Sequence, residues 1–158
     1  MKALEFSRPV RATPAVAWEV VADLERFGDA APGLSRVEVA DAPGQGMRRR
    51  CYDTRGRGWD EVCTLWEEGR RYEMRVRTET YPVPLRQMFR GFQGAWEVTP
   101  ADGGTLVAMR YEVEPSALAL LLWPAIRFSF GRQCERLLDN WQRQIEAGKA
   151  DARAEAQM

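Results

Sequence analysis

The chain has 158 residues, 45% of them hydrophobic, and its 23 Lys plus Arg balance its 23 Asp plus Glu, so the formal net charge is zero. That length suits one globular domain burying roughly two thirds of its unfolded surface, and the charge balance argues against nucleic acid as the main partner, because phosphate binding needs a net basic face. Histidine is absent, which removes Ser-His and Cys-His nucleophile pairs, histidine metal ligands and the usual acid/base residue of neutral pH. The N-terminus, MKALEFSRPV, has no apolar signal core. Leu4, Phe6 and Val10 alternate there with Glu5 and Ser7 and predict a strand over 3–12. Thr13 as N-cap and Pro14 at the first helical position open a helix whose buried face is Ala17, Val20, Val21 and Leu24. A short second helical turn precedes Pro32-Gly33. Val37 and Val39 mark a second strand, and APGQG at 42–46 is a turn. Hairpin-linked strands follow at Met47–Asp53, Trp59–Trp66 and Arg71–Thr78, then the turn-rich loop TETYPVPL, then strands over 89–99 and 105–114 joined by PADGG.

The stretch 116–147 predicts one long helix. Ser116 is its N-cap and Gly148 its C-cap. Phe130, Cys134, Leu137, Leu138, Trp141 and Ile145 recur as an apolar stripe. From Ala117 to Ala147 it would run roughly 46 Å and would need a broad apolar partner, which the strands supply as a sheet. The apolar run LALLLWPAI reads as buried or as a dimer contact, and at 117–126 it is too short to span a bilayer. Residues 149–158 read as a frayed tail beyond a single domain, 1–148. Cys51, Cys63 and Cys134 show no CxxC spacing, so no metal site is expected, and they read as buried free thiols of a reducing cytoplasm.

Facing residues of a hairpin share one side of the sheet. Val98 opposite Thr105 sets Trp96 by Val107, Gly94 by Met109 and Phe92 by Tyr111. Trp66 opposite Arg71 sets Leu65 by Tyr72, Cys63 by Met74 and Glu61 by Val76. Asp53 opposite Trp59 sets Cys51 by Glu61 and Arg49 by Cys63. The concave face therefore carries Met47, Arg49, Cys51, Asp53, Glu61, Cys63, Leu65, Tyr72, Met74, Val76, Phe92, Gly94, Trp96, Val107, Met109 and Tyr111: apolar, with three charges near one end.

The strand, TPAVAWEVVADLERF, APGL and SRVEVA resemble the opening of START-like (SRPBCC) helix-grip proteins, most closely the polyketide cyclase/dehydrase-like subgroup, which is also similar to coenzyme-Q-binding and Bet v 1 type proteins. WDEVCTLWEEGRRYEMRV, FQGAWEVTPADGGTLVAMRYEVEP and the terminal helix extend the resemblance over residues 3–147. It implies an α+β helix-grip fold, a seven-stranded antiparallel sheet around the C-terminal helix with two short helices after the first strand. It also implies a cavity for an apolar or aromatic small molecule such as a lipid, polyketide or quinone. No cofactor is expected, and the protein would be a cytoplasmic monomer or homodimer without a membrane span.

The candidate ligand-binding residues are Arg49, Cys51, Glu61, Cys63, Tyr72, Met74, Phe92, Gly94, Trp96, Met109, Tyr111, Phe130 and Cys134. Unpaired buried charges are costly, so Arg49 and Glu61 either orient a ligand carbonyl or phenol or form an ion pair at the sheet edge. Gly94 and Gly131 leave room for a ligand or for the gripped helix. Phe128 and Phe130 read as sheet-facing. Tyr81-Pro82-Val83-Pro84-Leu85 is a rim over the cavity or a rigid connector. Three functions follow: binding of a hydrophobic molecule, a cyclase, aromatase or dehydratase, or an interaction module with a filled core. An enzyme without histidine would draw its acid/base groups from Glu61, Asp53, Tyr72 or Tyr111, with Arg49 steadying an enolate.

Overall fold

The computed structural model describes residues 1–157. Strand β1 spans Lys2–Val10. Thr13 then caps helix α1, Pro14–Val21, its hydroxyl accepting from the Val16 amide at 3.3 Å, and a single turn, α2, follows at Phe27–Ala30. Strands β2 (Leu34–Val39), β3 (Arg48–Asp53), β4 (Gly58–Glu67) and β5 (Arg71–Val76) come next. A 3₁₀ turn at Thr78–Thr80 and the short helix α3, Leu85–Met88, lead into β6 (Phe89–Ala101) and β7 (Gly104–Pro115). The seven strands form one antiparallel sheet in the order β1-β7-β6-β5-β4-β3-β2. Consecutive strands from β2 onward are therefore neighbours, while α1 and α2 carry the chain from one sheet edge to the other.

Two hairpins close tighter than expected. Val98 pairs with Val107 and Ala101 with Gly104, which leaves Asp102-Gly103 as a two-residue turn with Gly103 at φ +77°; a left-handed position there favours glycine. Cys51 pairs with Trp59, and Arg49 faces Glu61 directly rather than Cys63. Each shift is two residues, so every side chain keeps its expected face. The β4–β5 register holds at Glu61–Val76 and Cys63–Met74, but a bulge at Thr64 then sets Leu65 opposite Glu73 and Trp66 opposite Tyr72. An extra residue reverses the alternation beyond it, so Trp66 rather than Leu65 joins the concave side, where its ring stacks on Tyr72 at 5.4 Å.

The long helix is broken. Ser116 caps α4, Ala117–Leu121, and α5 runs from Trp123 to Ala156. Pro124 has no amide to donate and its ring crowds the preceding turn, so the chain turns at Leu122. Helix α4 consequently buries only Ala119, and Leu118, Leu120, Leu121 and Leu122 face outward, so of the two expected readings, burial or a dimer contact, burial is overturned. Phe128 is 68% exposed rather than sheet-facing, because only Phe130, Cys134, Leu137, Leu138, Trp141 and Ile145 lie on the inner stripe. Gly148 does not end the helix; residues 149–156 continue it as mostly exposed turns. The stripe grips the sheet through aromatic edges. Phe27 sits 5.5 Å from both Trp141 and Trp96, and Phe130 sits 4.8 Å from Tyr111. Outside, Arg8 of β1 reaches Glu135 at 2.8 Å and Asp139 at 2.5 Å.

Leu137→Ala and Trp141→Ala remove side chains at 4% and 1% exposure; each is expected to cost about 2–5 kcal/mol in urea denaturation. Phe128→Ala is expected to cost less than about 1 kcal/mol.

Candidate functional site

Strands β3 to β7 curl beneath the first half of α5 and enclose a cavity of about 580 Å³. Its walls are mostly aromatic and aliphatic: Phe89, Phe92, Trp96 and Tyr111 from β6 and β7, Phe130 and Cys134 from α5, and Phe27 from α2. The lining residues that are themselves exposed, Pro32, Leu122, Ala125, Ser129 and Gln133, mark its opening between the turn before β2 and the start of α5. Tyr81 and Leu85 also line it, so the Tyr81–Leu85 loop forms part of the wall. It is tied to the β3–β4 hairpin, since Arg57 Nη1 donates to the Val83 carbonyl at 3.0 Å.

Three charged residues, Arg49, Asp53 and Glu61, line the cavity, and Arg49 and Glu61 form an ion pair. Arg49 and Glu61 are 3% and 7% exposed. Their direct pairing across β3 and β4 lets Arg49 Nε donate to Glu61 Oε2 at 2.7 Å, with Nη2 2.6 Å from the same oxygen in the ion pair. Trp59 Nε1 donates to Glu61 Oε1 at 2.9 Å, so both carboxylate oxygens are occupied. Burial favours loss of the Arg49 proton, but the Glu61 charge and hydrogen bond, together with the smaller contributions of Cys51 and Tyr72, outweigh it and hold the guanidinium above its ordinary range. Its carbon lies 4.9 Å from the Phe27 ring and 5.6 Å from the Trp96 ring, within cation–π reach. Arg49 Nη1 is buried with no partner, and so is Trp96 Nε1. Buried donors are normally satisfied, and these two belong to residues that line the cavity.

Of the residues singled out from the sequence, Arg49, Asp53, Glu61, Met74, Phe92, Gly94, Trp96, Tyr111, Phe130 and Cys134 line the cavity. Cys51, Cys63, Tyr72 and Met109 do not. They share the concave face but lie where the core is already filled: Tyr72 donates to the Val21 carbonyl of α1 at 2.8 Å and is sandwiched between Trp66 and Trp96. Gly94 does leave room, and the Trp96 indole takes much of it; a Cβ there would sit 2.5 Å from Trp96 Cη2. Gly131 faces Phe6 of β1 instead, and its added Cβ would be 3.8 Å away. Sequence reasoning missed Phe27 and Trp59, whereas Tyr81 belongs to the loop read as a rim over the cavity or a rigid connector, and it lines the cavity. The stretch around Phe27 reads as a helix end, and only tertiary packing brings it inward. Trp59 was legible as the residue two positions before Glu61, on the same face of β4.

Asp53 is at the opening end, but it is committed. It accepts from the Arg55 and Arg57 amides, each at 2.9 Å, and from Arg57 Nε at 2.8 Å. Desolvation opposes the charge, yet these donors hold its carboxyl below the ordinary range. Burial pushes the Tyr111 hydroxyl well above its ordinary range, which makes it a donor rather than a base; it donates to Met109 Sδ at 3.5 Å. The three cysteines are free and buried. Burial raises the thiols of Cys51 and Cys63 and pushes Cys134 up to about 12.

Two outcomes follow. Removing one member of a buried pair strands the other charge. Glu61→Gln and Arg49→Met are each expected to lose about 3–5 kcal/mol in denaturant titration, and the double variant Arg49→Met/Glu61→Leu to lose less than either single one. The raised thiols hold their protons more tightly in the native state than in the unfolded chain, so their contribution is fully present below the ordinary thiol value and declines as pH rises above about 8.5. Melting temperature against pH is expected to fall on that alkaline side, and less steeply in Cys134→Ala.

Comparison with known proteins agrees with this architecture. No curated protein matches the chain in sequence. Among solved structures it is similar to a protein from Thermus thermophilus, 18% identical with TM-score 0.72, covering 92% of this chain and 98% of that one. The Zhui aromatase/cyclase from a Streptomyces species is 18% identical with TM-score 0.72, at 92% and 93% coverage. A norcoclaurine synthase point mutant of Thalictrum flavum is 14% identical with TM-score 0.70, at 94% and 96% coverage. These identities establish a shared helix-grip fold. The profile of one family matches residues 1–146, and the chain belongs to that family, described as polyketide cyclase/dehydrase and lipid transport.

Proposed function

We propose that the protein binds a hydrophobic small molecule, aromatic or isoprenoid-like, that carries a carbonyl or quinone oxygen. One observation carries the reading: the unpartnered Arg49 Nη1, on an otherwise satisfied ion pair in the wall of an aromatic cavity. A ligand oxygen would complete that donor set, and the aromatic walls would take the apolar body. Tyr111 and Trp96 add donors and no acceptor of comparable strength. The cavity thus favours a molecule rich in acceptors over one that must give up a proton.

The alternative is a cyclase or dehydratase, which the family description also covers. It would need a proton acceptor in the cavity. Glu61 already accepts from Arg49 and Trp59, Asp53 from Arg57 and two amides, and Tyr72 points to Val21 away from the cavity. Those commitments support binding over turnover.

Native mass spectrometry of the purified protein is expected to show a co-purified small molecule, or saturable uptake of a quinone that displaces a hydrophobic fluorescent probe. Arg49→Met, checked for cooperative unfolding, is expected to lose the preference for a quinone over its hydrocarbon analogue, about 1–3 kcal/mol by calorimetry. Ser129→Trp, at the opening, is expected to block uptake of both. Uptake unaffected by Ser129→Trp, or an unchanged preference in Arg49→Met, would remove the cavity or Arg49 from the reading. Turnover of a polyketide-like substrate would favour the enzyme.

A further inference from the structure

Apart from Met1, the large apolar side chains exposed among the described residues are Val83, Leu118, Leu120, Leu121, Leu122 and Phe128. They come from two segments that meet, the loop entering α3 and the α4–α5 corner, since α3 packs on α4. Leu121 is 79% exposed. The same two segments supply part of the cavity wall through Tyr81, Leu85, Leu122 and Ile126. The exposed apolar surface of the molecule is thus gathered beside the cavity opening, where a chain alone in water gains nothing from it.

The surface beside this corner is rich in arginine. Arg127, Arg132 and Arg136 line a surface groove with Trp123 and Phe128, and Arg86 lies on α3. Among the described residues none of these four arginines meets a carboxylate, whereas most arginines on β3 to β5 do. The one acid in the groove, Glu135, pairs at 2.8 Å with Arg8, a guanidinium it shares with Asp139. On a chain of zero net charge, the unpaired arginines and the exposed leucines therefore fall together.

We propose that the α4–α5 corner docks peripherally on an anionic lipid surface, with Leu118, Leu121 and Phe128 entering the headgroup region and Arg127 and Arg132 meeting lipid phosphates and carboxylates. Apolar anchors rimmed by cations suit such a surface. A second copy suits it less, because a two-fold interface would set the cationic rim against itself. Among the described residues no helix is long and apolar enough to cross a membrane, so the contact is superficial. The opening beside the corner would let an apolar molecule pass between bilayer and cavity without crossing water, which favours lipid over an acidic protein. That preference rests on the ligand reading, whereas vesicle binding is measured without ligand, so the two can fail separately.

The test is flotation of the full chain with phosphatidylcholine vesicles, with and without about one third phosphatidylserine. Binding is expected only with the anionic lipid and is expected to weaken as salt is raised. Leu121→Asp and, separately, Leu118→Asp are expected to reduce it about tenfold or more while the denaturation midpoint is unchanged. Arg127→Glu/Arg132→Glu is expected to abolish the dependence on anionic lipid. The proposal is overturned by equal binding to both vesicle types, by no binding, or by leucine variants that bind as the parent does. Sedimentation showing a dimer that Leu121→Asp dissociates would reassign the corner to a second copy. Capture by an acidic polypeptide, with no vesicle binding, would reassign it to a protein partner.

Discussion

A straight helix and a curled sheet can touch along only part of their length, and the rest of this molecule follows from where they touch. The second half of α5 presses Leu138, Trp141 and Ile145 to full burial, and that end of the concave face is closed by α1 and the Trp18, Trp66 and Tyr72 cluster. Toward the first half the helix stands off on Phe130, which meets Phe92 and Tyr111 edge-on. Aromatic edges hold two surfaces apart while still contributing packing energy. The cavity is the space those edges do not fill.

Electrostatics divides the same way. Most charged residues sit on the outer face or the turns, where ion pairs contribute little. Arg49 and Glu61 alone form a buried pair among the described salt bridges, and such a pair is weak evidence of stability for its own sake. Its geometry leaves one buried donor, Arg49 Nη1, without a partner among the described residues, while both carboxylate oxygens are used. That arrangement is hard to account for as scaffolding, because an apolar pair would pack the strands as well without an orphaned donor.

The corner at Leu122 links cavity and surface. One proline ends α4, turns its leucines outward and opens the wall beside Ser129. The cavity opening and the exposed apolar corner therefore meet at one local constraint.

The sequence by itself determined the order of the seven strands, the face of most strand residues and the family. Side-chain alternation has a period of two, so hairpin registers misplaced by two residues still put Arg49, Glu61, Phe92, Trp96 and Tyr111 on the inner face. The apolar stripe from Phe130 to Ile145 was likewise legible, because helical spacing is local. What lay beyond the sequence depended on contacts between distant segments. The bulge at Thr64, which exchanged Leu65 for Trp66, has no local signature. Pro124 was visible, but whether a proline ends a helix or only begins the next one is settled by what the flanking turns can bury. The division of one concave face into a filled end, with Tyr72, Cys63 and Met109, and a hollow end, with Arg49 and Glu61, was decided only in three dimensions. Alternation says which side a residue faces, whereas the angle between helix and sheet decides how much space lies in front of it.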